Sequence, residues 1–369
     1  MNIDRRDVLK GSVALSALAL TVTQFWPFKA AGSFTPEAGP WRTFEITTRI
    51  EIPGAENGAR AWIPLPSIAA TEWSRPLGDH WDANSHSATV HTVGDSGAKL
   101  LAVSWPSGAA PIAAVTSRIA TRDRAVDLRT PHKSAPLSAA DRALFTAATD
   151  LVPTDGIVRE NAVRITRGAQ DDLSKVRALY DWMVVNTYRD ANTRGCGTGD
   201  IVALLRSGNL GGKCADLNAL FVGFARSLGI PARELYGVRV APSRFGYKSL
   251  GANTVDITKA QHCRAEVYLN DFGWVAMDPA DVRKVMLEEP PGNLALSDVK
   301  VAAARRTLFG AWEGNWIAYN DARDVRLPGA AGPAVGFFMY PEAETATGRL
   351  DCLDPGSFKY TISAKEIAV

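Results

Sequence analysis

Three residues of this chain, Cys214, His262 and Asp278, occur in an order that suits a thiol nucleophile, a base and an orienting acid. The cysteine lies in Gly211-Gly212-Lys213-Cys214-Ala215-Asp216-Leu217-Asn218, which reads as a glycine turn feeding a helix. Leu217, Leu220, Phe221, Phe224 and Leu228 recur at helical spacing, and Gly229 and Pro231 supply the stop. A thiol in the first turn of a helix feels unpaired N–H groups and the positive end of the macrodipole. Both favour thiolate, the form that attacks carbonyl carbon. The two glycines are expected to clear a path for substrate.

The histidine opens Gln261-His262-Cys263-Arg264-Ala265-Glu266-Val267-Tyr268-Leu269. Alternation puts Cys263, Ala265, Val267 and Leu269 on one strand face and His262, Arg264, Glu266 and Tyr268 on the other. The following strand runs through Trp274-Val275-Ala276-Met277 to Asp278-Pro279. Placing Asp278 opposite His262 requires a hairpin turn centred on Asn270. A turn centred between Asp271 and Phe272 would bring Asp281 across instead, because a slip in register moves every pair. With all three in place, the histidine shuttles a proton, the acid holds its tautomer and the thiolate passes through a thioester. The Cys214 N–H would serve one side of an oxyanion hole. Tyr188, placed before the cysteine helix, is the candidate for the second donor.

These residues need a scaffold of helices followed by antiparallel strands, which is an α+β class. Helices are predicted over 139–150, 157–167 and 173–188, and strands over 234–240, 263–269 and 274–277. Ahead of them, 33–130 reads as an antiparallel β-sandwich of about seven strands, with Phe44, Ile46, Ile50 and Ile52 at alternating positions of the first. Residues 131–286 then form the catalytic core, and 287–369 a loop-rich and β extension.

Residues 1–32 read as an export signal: paired Arg5-Arg6, an apolar run from Val13 to Val22, then Ala30-Ala31-Gly32. The paired arginines point to the twin-arginine route and so to a periplasmic or otherwise exported protein with no stable membrane span after removal. The whole chain carries a net charge of +2. Residues 1–32 hold four basic and two acidic residues, so the remainder has 37 of each sign. That balance argues against a nucleic-acid partner. The four cysteines (Cys196, Cys214, Cys263, Cys352) include no C-x-x-C pair, and the histidines lack ligand spacing, so no metal or cofactor is expected. A disulfide among Cys196, Cys263 and Cys352 remains open.

Gly212-Lys213-Cys214-Ala215-Asp216, Leu228-Gly229-Ile230-Pro231 and His262…Glu266-Val267-Tyr268…Gly273-Trp274-Val275…Asp278-Pro279 resemble the motifs of the transglutaminase-like superfamily. The resemblance covers about residues 140–285. Ala61-Trp62-Ile63-Pro64-Leu65-Pro66 is similar to the β domain that precedes this core in bacterial members. It implies a papain-like Cys-His-Asp core, with Cys214 as nucleophile, His262 as base and acid, and Asp278 as orienter. The activity it implies is on a peptide or protein amide, with a peptidase or amidase expected first. A protein-glutamine acyltransferase, or a catalytically silent envelope binding module, is the alternative. Two positions depart from the family pattern. Arg264 stands where an aromatic is usual, and could bind a substrate carboxylate or pair with Glu266. Cys263 adjoins the histidine, where packing or a disulfide would account for it.

Overall fold

The computed structural model describes residues 34–354 and 358–368; the export signal read in residues 1–32 lies outside them. Strands come first: β1 (Arg42–Glu51), β2 (Ala59–Leu65), β3 (Ser74–Ala83), β4 (Ser87–Val93), β5 (Ala98–Trp105), β6 (Ile112–Thr121) and the short β7 (Arg124–Ala125). β3 gives no alternating apolar signal because it is an edge strand with mostly exposed side chains. Its pairing shifts between Pro76 and Gly78, a bulge that an edge tolerates.

Helices follow: α1 (Ala139–Thr146), α2 (Gly156–Ile165) and α3 (Asp172–Asn186). Asp171 caps α3 by accepting from Ser174 N. Next come β8 (Tyr188–Arg189), α4 (Ile201–Ser207), β9 (Gly211–Gly212) and α5 (Cys214–Ser227). α4 is only seven residues long, too short to show a helical period in the sequence; its cap, Asp200, accepts from Ala203 N. The sequence predicts an apolar stripe on α5, but the helix is buried on every side. It packs against α2, α3, α4 and α6 as well as the central sheet, and so forms the spine of the core.

The rest of the chain supplies β10 (Ala232–Arg239), β11 (Gln261–Leu269), β12 (Gly273–Met277), α6 (Pro279–Glu288), α7 (Val299–Thr307), β13 (Ala311–Trp312), β14 (Trp316–Asn320), β15 (Arg323–Val325), β16 (Val335–Phe337), β17 (Glu342–Thr345), β18 (Gly348–Arg349) and β19 (Lys359–Ile367). The central sheet has the order β12-β11-β10-β14. Two further antiparallel sheets run β19-β1-β6-β3 and β18-β17-β2-β5-β4. The last strands of the chain therefore complete sheets begun by the first ones. β19 lies along β1 from Thr43↔Ile367 to Glu51↔Lys359.

One face of β1 and β6 serves two partners. Ile50 and Val115 pack with Ile63, Leu101 and Val103 of the second sheet. Phe44, Ile46 and Ile119 pack with Val238 and Ile317 of the central sheet. The central sheet is thus covered by α5 on one side and by other parts of the chain on the other. Both faces of β11 are buried, the polar one with His262, Arg264, Glu266 and Tyr268 included. Glu266 is held there by Arg124 and Arg233, and Arg233 reaches on to Asp321 at 2.9 Å. The described residues form one compact unit. No helix among the described residues is long and apolar enough to cross a membrane.

Candidate active site

Cys214 opens α5 after the extended pair Gly211-Gly212 and the N-cap Lys213, and the loop before α4 holds it there. Ala215 N donates to Cys196 O at 2.9 Å. Asp216, in the first turn of α5, accepts from Lys213 N at 3.0 Å, Thr198 N at 2.9 Å and Gly199 N at 3.0 Å. Gly197 sits at φ +96°, and a Cβ there would fall inside the Asp216 carboxylate. The twin glycines likewise answer to packing. The Tyr188 ring occupies the space beside Gly211, and the Asp216 side chain that beside Gly212. They do not clear a substrate path, as the sequence had suggested.

Cys214 is 3 % exposed and lines a cavity of about 440 Å³ together with Cys196, Gln261 and His262. His262 is equally buried, and its Nε2 donates to Asp278 Oδ2 at 2.8 Å. The register that produces this contact differs from the expected one. β11 and β12 pair from Leu269↔Gly273 to Ala265↔Met277, a turn centred on Asp271, and the ladder stops before His262. Both candidate acids arrive instead through α6. Asp278 is its N-cap, accepting from Asp281 N at 3.0 Å with Pro279 next, and Asp281 lies in the first turn. Asp281 Oδ1 is 3.3 Å from His262 Nε2, but Arg239 Nη2 claims the same oxygen at 2.6 Å. His262 therefore faces both acids, Asp278 more closely.

Asn218, one helical turn beyond Cys214, ties these elements together. Its Nδ2 donates to Cys263 O at 2.9 Å and to Asp278 Oδ1 at 3.2 Å. Trp316 Nε1 donates to His262 O at 2.9 Å from the far side. The i, i+4 spacing of Cys214 and Asn218 was visible in the sequence, but their shared partners belong to a strand and helix far along the chain.

The electrostatics favour a charged pair. The Cys214 pKa is held well below the ordinary thiol value: the neighbouring Cys196 and Cys263 thiols lower it most, burial opposes them, and His262 lowers it further. Burial and Arg239 pull the His262 pKa down, but Asp281, Asp278 and Cys214 outweigh them and raise it from 6.5 to about 9. The thiolate–imidazolium form is the one these shifts support at neutral pH. His262, Asp278 and Asp281 also group their ligand atoms within 4.8 Å. Arg239 and Arg264 flank that group at 2.6 and 3.8 Å, and two guanidinium charges disfavour a cation there.

Two expected roles are corrected. Tyr188 is 41 % exposed, its hydroxyl bonds to Asn209 Oδ1 at 2.6 Å, and it does not line the cavity; it is no oxyanion donor. Arg264 is 2 % exposed and also absent from the cavity wall. It donates to Glu313 O at 3.0 Å and stacks over Trp312 and Trp316, so it reaches neither a substrate carboxylate nor Glu266. All four cysteines are free thiols, and Cys263 Sγ packs 3.9 Å from Met339 Sδ. A polar group the sequence reading passed over is Gln261. Its Nε2 is buried at the cavity with no hydrogen-bond partner among the described residues.

Residues 159–279 match the sequence pattern of the transglutaminase-like superfamily. An uncharacterized protein of Haemophilus influenzae is 36 % identical over 341 residues, covering 88 % of this chain and 91 % of that protein. A crystal structure of a "Putative Cysteine Protease" from Cytophaga hutchinsonii has a similar fold, with TM-score 0.53 and 14 % identity, covering 90 % of this chain and 92 % of that one.

Proposed function

We propose, on the premise that this chain belongs to the transglutaminase-like superfamily, that it is an exported cysteine amidohydrolase working through a thioester. The observation that carries this reading is a buried His262–Asp278 pair at 2.8 Å beside a Cys214 whose pKa is depressed, with cysteine and histidine on one cavity wall. The Cys214 thiolate attacks the carbonyl carbon of an amide. The developing oxyanion is received by the Cys214 N–H and by Gln261 Nε2, which has no other partner among the described residues. The His262 imidazolium gives its proton to the leaving amine as the C–N bond breaks, leaving a thioester and a neutral imidazole. Water then gives a proton to His262 and its oxygen to the acyl carbon, and the thiolate is expelled. Asp278 holds the ring throughout and stabilises its charged form.

This reading takes residues 1–32 as a twin-arginine export signal, which would set the chemistry outside the cytoplasm. There water is the abundant acceptor. Iodoacetamide labelling at neutral pH, followed by mass spectrometry, tests the nucleophile. Cys214 is expected to react faster than the half-buried Cys352, and Cys214→Ala to remove that fast phase. Equal rates at the two thiols would sink the enzymatic reading. Adding a primary amine to a turnover assay separates hydrolysis, where product stays the free acid, from acyl transfer, where the amine is incorporated.

A further inference from the structure

The cavity beside Cys214 is lined by six cations: Arg189, Arg194, Lys213, Arg239, Lys259 and Lys284. Among the described residues no carboxylate lines it. Residues 33–369 hold 37 charges of each sign, so this concentration of one sign is local.

Half of the charge is answered from behind. Arg189 pairs with Glu288, Arg194 with Asp351 at 2.6 Å, and Arg239 with Asp281 at 2.6 Å. Lys284 lies 3.5 Å from the same Glu288, which one carboxylate cannot fully neutralise for two cations. Lys213 and Lys259 have no carboxylate within ion-pair distance among the described residues; Lys213 Nζ donates to the Thr193 carbonyl at 2.6 Å. Lys213 is the residue directly before the nucleophile, so its charge adds to the positive end of α5.

We infer that the site selects peptide amides bearing carboxylates next to the bond it cleaves, held by Lys213 and Lys259. This rests on the amidohydrolase reading above and names its substrate class. A single-sign cleft with low-dielectric walls concentrates ligands of the opposite sign. A volume of about 440 Å³ suits a short peptide segment rather than a single side chain. Tyr340 and Tyr360 line the same cavity, and their aromatic surface suits a peptide's apolar stem. Carboxylates rather than phosphates are the fitting anion, because the chemistry at Cys214 is directed at carbonyl carbon. The carboxylate-binding role that the sequence offered to Arg264 thus passes to the two lysines.

The test uses full-length Cys214→Ala protein, so that binding is read without turnover. Fluorescein-labelled Gly-Glu-Ala-Glu-Gly is compared with its Gly-Gln-Ala-Gln-Gly isostere by fluorescence anisotropy. The acidic peptide is expected to bind about ten-fold tighter, a preference that shrinks as salt is raised. Lys259→Glu, at an exposed position, and Lys213→Met are each expected to lower that preference several-fold. Equal binding of the two peptides, absence of binding by both, or a preference that survives both substitutions would overturn the inference. None of these outcomes bears on whether Cys214 is nucleophilic, which the labelling rates decide separately.

Discussion

His262 is the residue on which the acid–base balance turns. Its raised pKa means that the imidazolium, which in the proposed mechanism protonates the leaving amine, persists up to about pH 9. We expect kcat/KM on a peptide amide to fall as pH rises through about 9. Asp278 and Asp281 both raise that value, so Asp278→Asn removes one source of support and moves the falling limb to lower pH. A limb that stays in place would mean that Asp278 does not govern the ring. Gln261→Ala should lower kcat by about 10²-fold to 10³-fold with little change in KM, the pattern for a lost oxyanion donor. An effect on KM alone would assign Gln261 to ground-state binding. At this scale the three central residues were legible because each has a local signature: glycine–cysteine–helix, histidine at a strand start, aspartate before proline. Arg264 and Tyr188 misled for the opposite reason. What a side chain touches depends on neighbours from other elements, and Trp312, Trp316 and Asn209 could not be placed by spacing.

At the level of elements, the site depends on how the start of α5 is pinned. Three backbone N–H groups converge on Asp216, and Gly197 must present no side chain to it. Gly197→Ala is expected to destabilise the fold by about 1–3 kcal/mol, from the strained φ and the displaced carboxylate together, read as a drop in Tm. An unchanged Tm would show that the loop relaxes freely. Helices α1, α2, α3 and α5 and strands β10, β11 and β12 were legible from periodicity, and so was the existence of the β11–β12 hairpin. Its register was not: the turn lies one residue later than Asp278 opposite His262 would need. The contact survives because the acids do not depend on the ladder. A helix beginning at Asp278 carries both 278 and 281 towards the ring, and α6 was not foreseen in the sequence.

At the scale of the whole molecule, the first and last described strands pair. Ile362 of β19 is 1 % exposed among residues of β1, β6 and the central sheet. Ile362→Ala should cost about 2–5 kcal/mol, measured by denaturant unfolding; a loss below about 0.5 kcal/mol would mean that β19 is a dispensable edge. The C-terminal stretch seemed loop-rich in sequence because its strands are short and draw their partners from residues about 300 positions away, a separation that local patterns do not register.

This closure also orders events in time. Phe358 and Tyr360, at the start of the last strand, form part of the wall facing Cys214. During synthesis the nucleophile exists long before that wall does. A chain released between Asp281 and Lys359 would carry the thiol, the histidine and both acids, yet lack one side of the cleft and the strand that closes β1. The cavity is thus complete only once β19 has been made and laid along β1, and a product lacking that strand would be left with an open cleft.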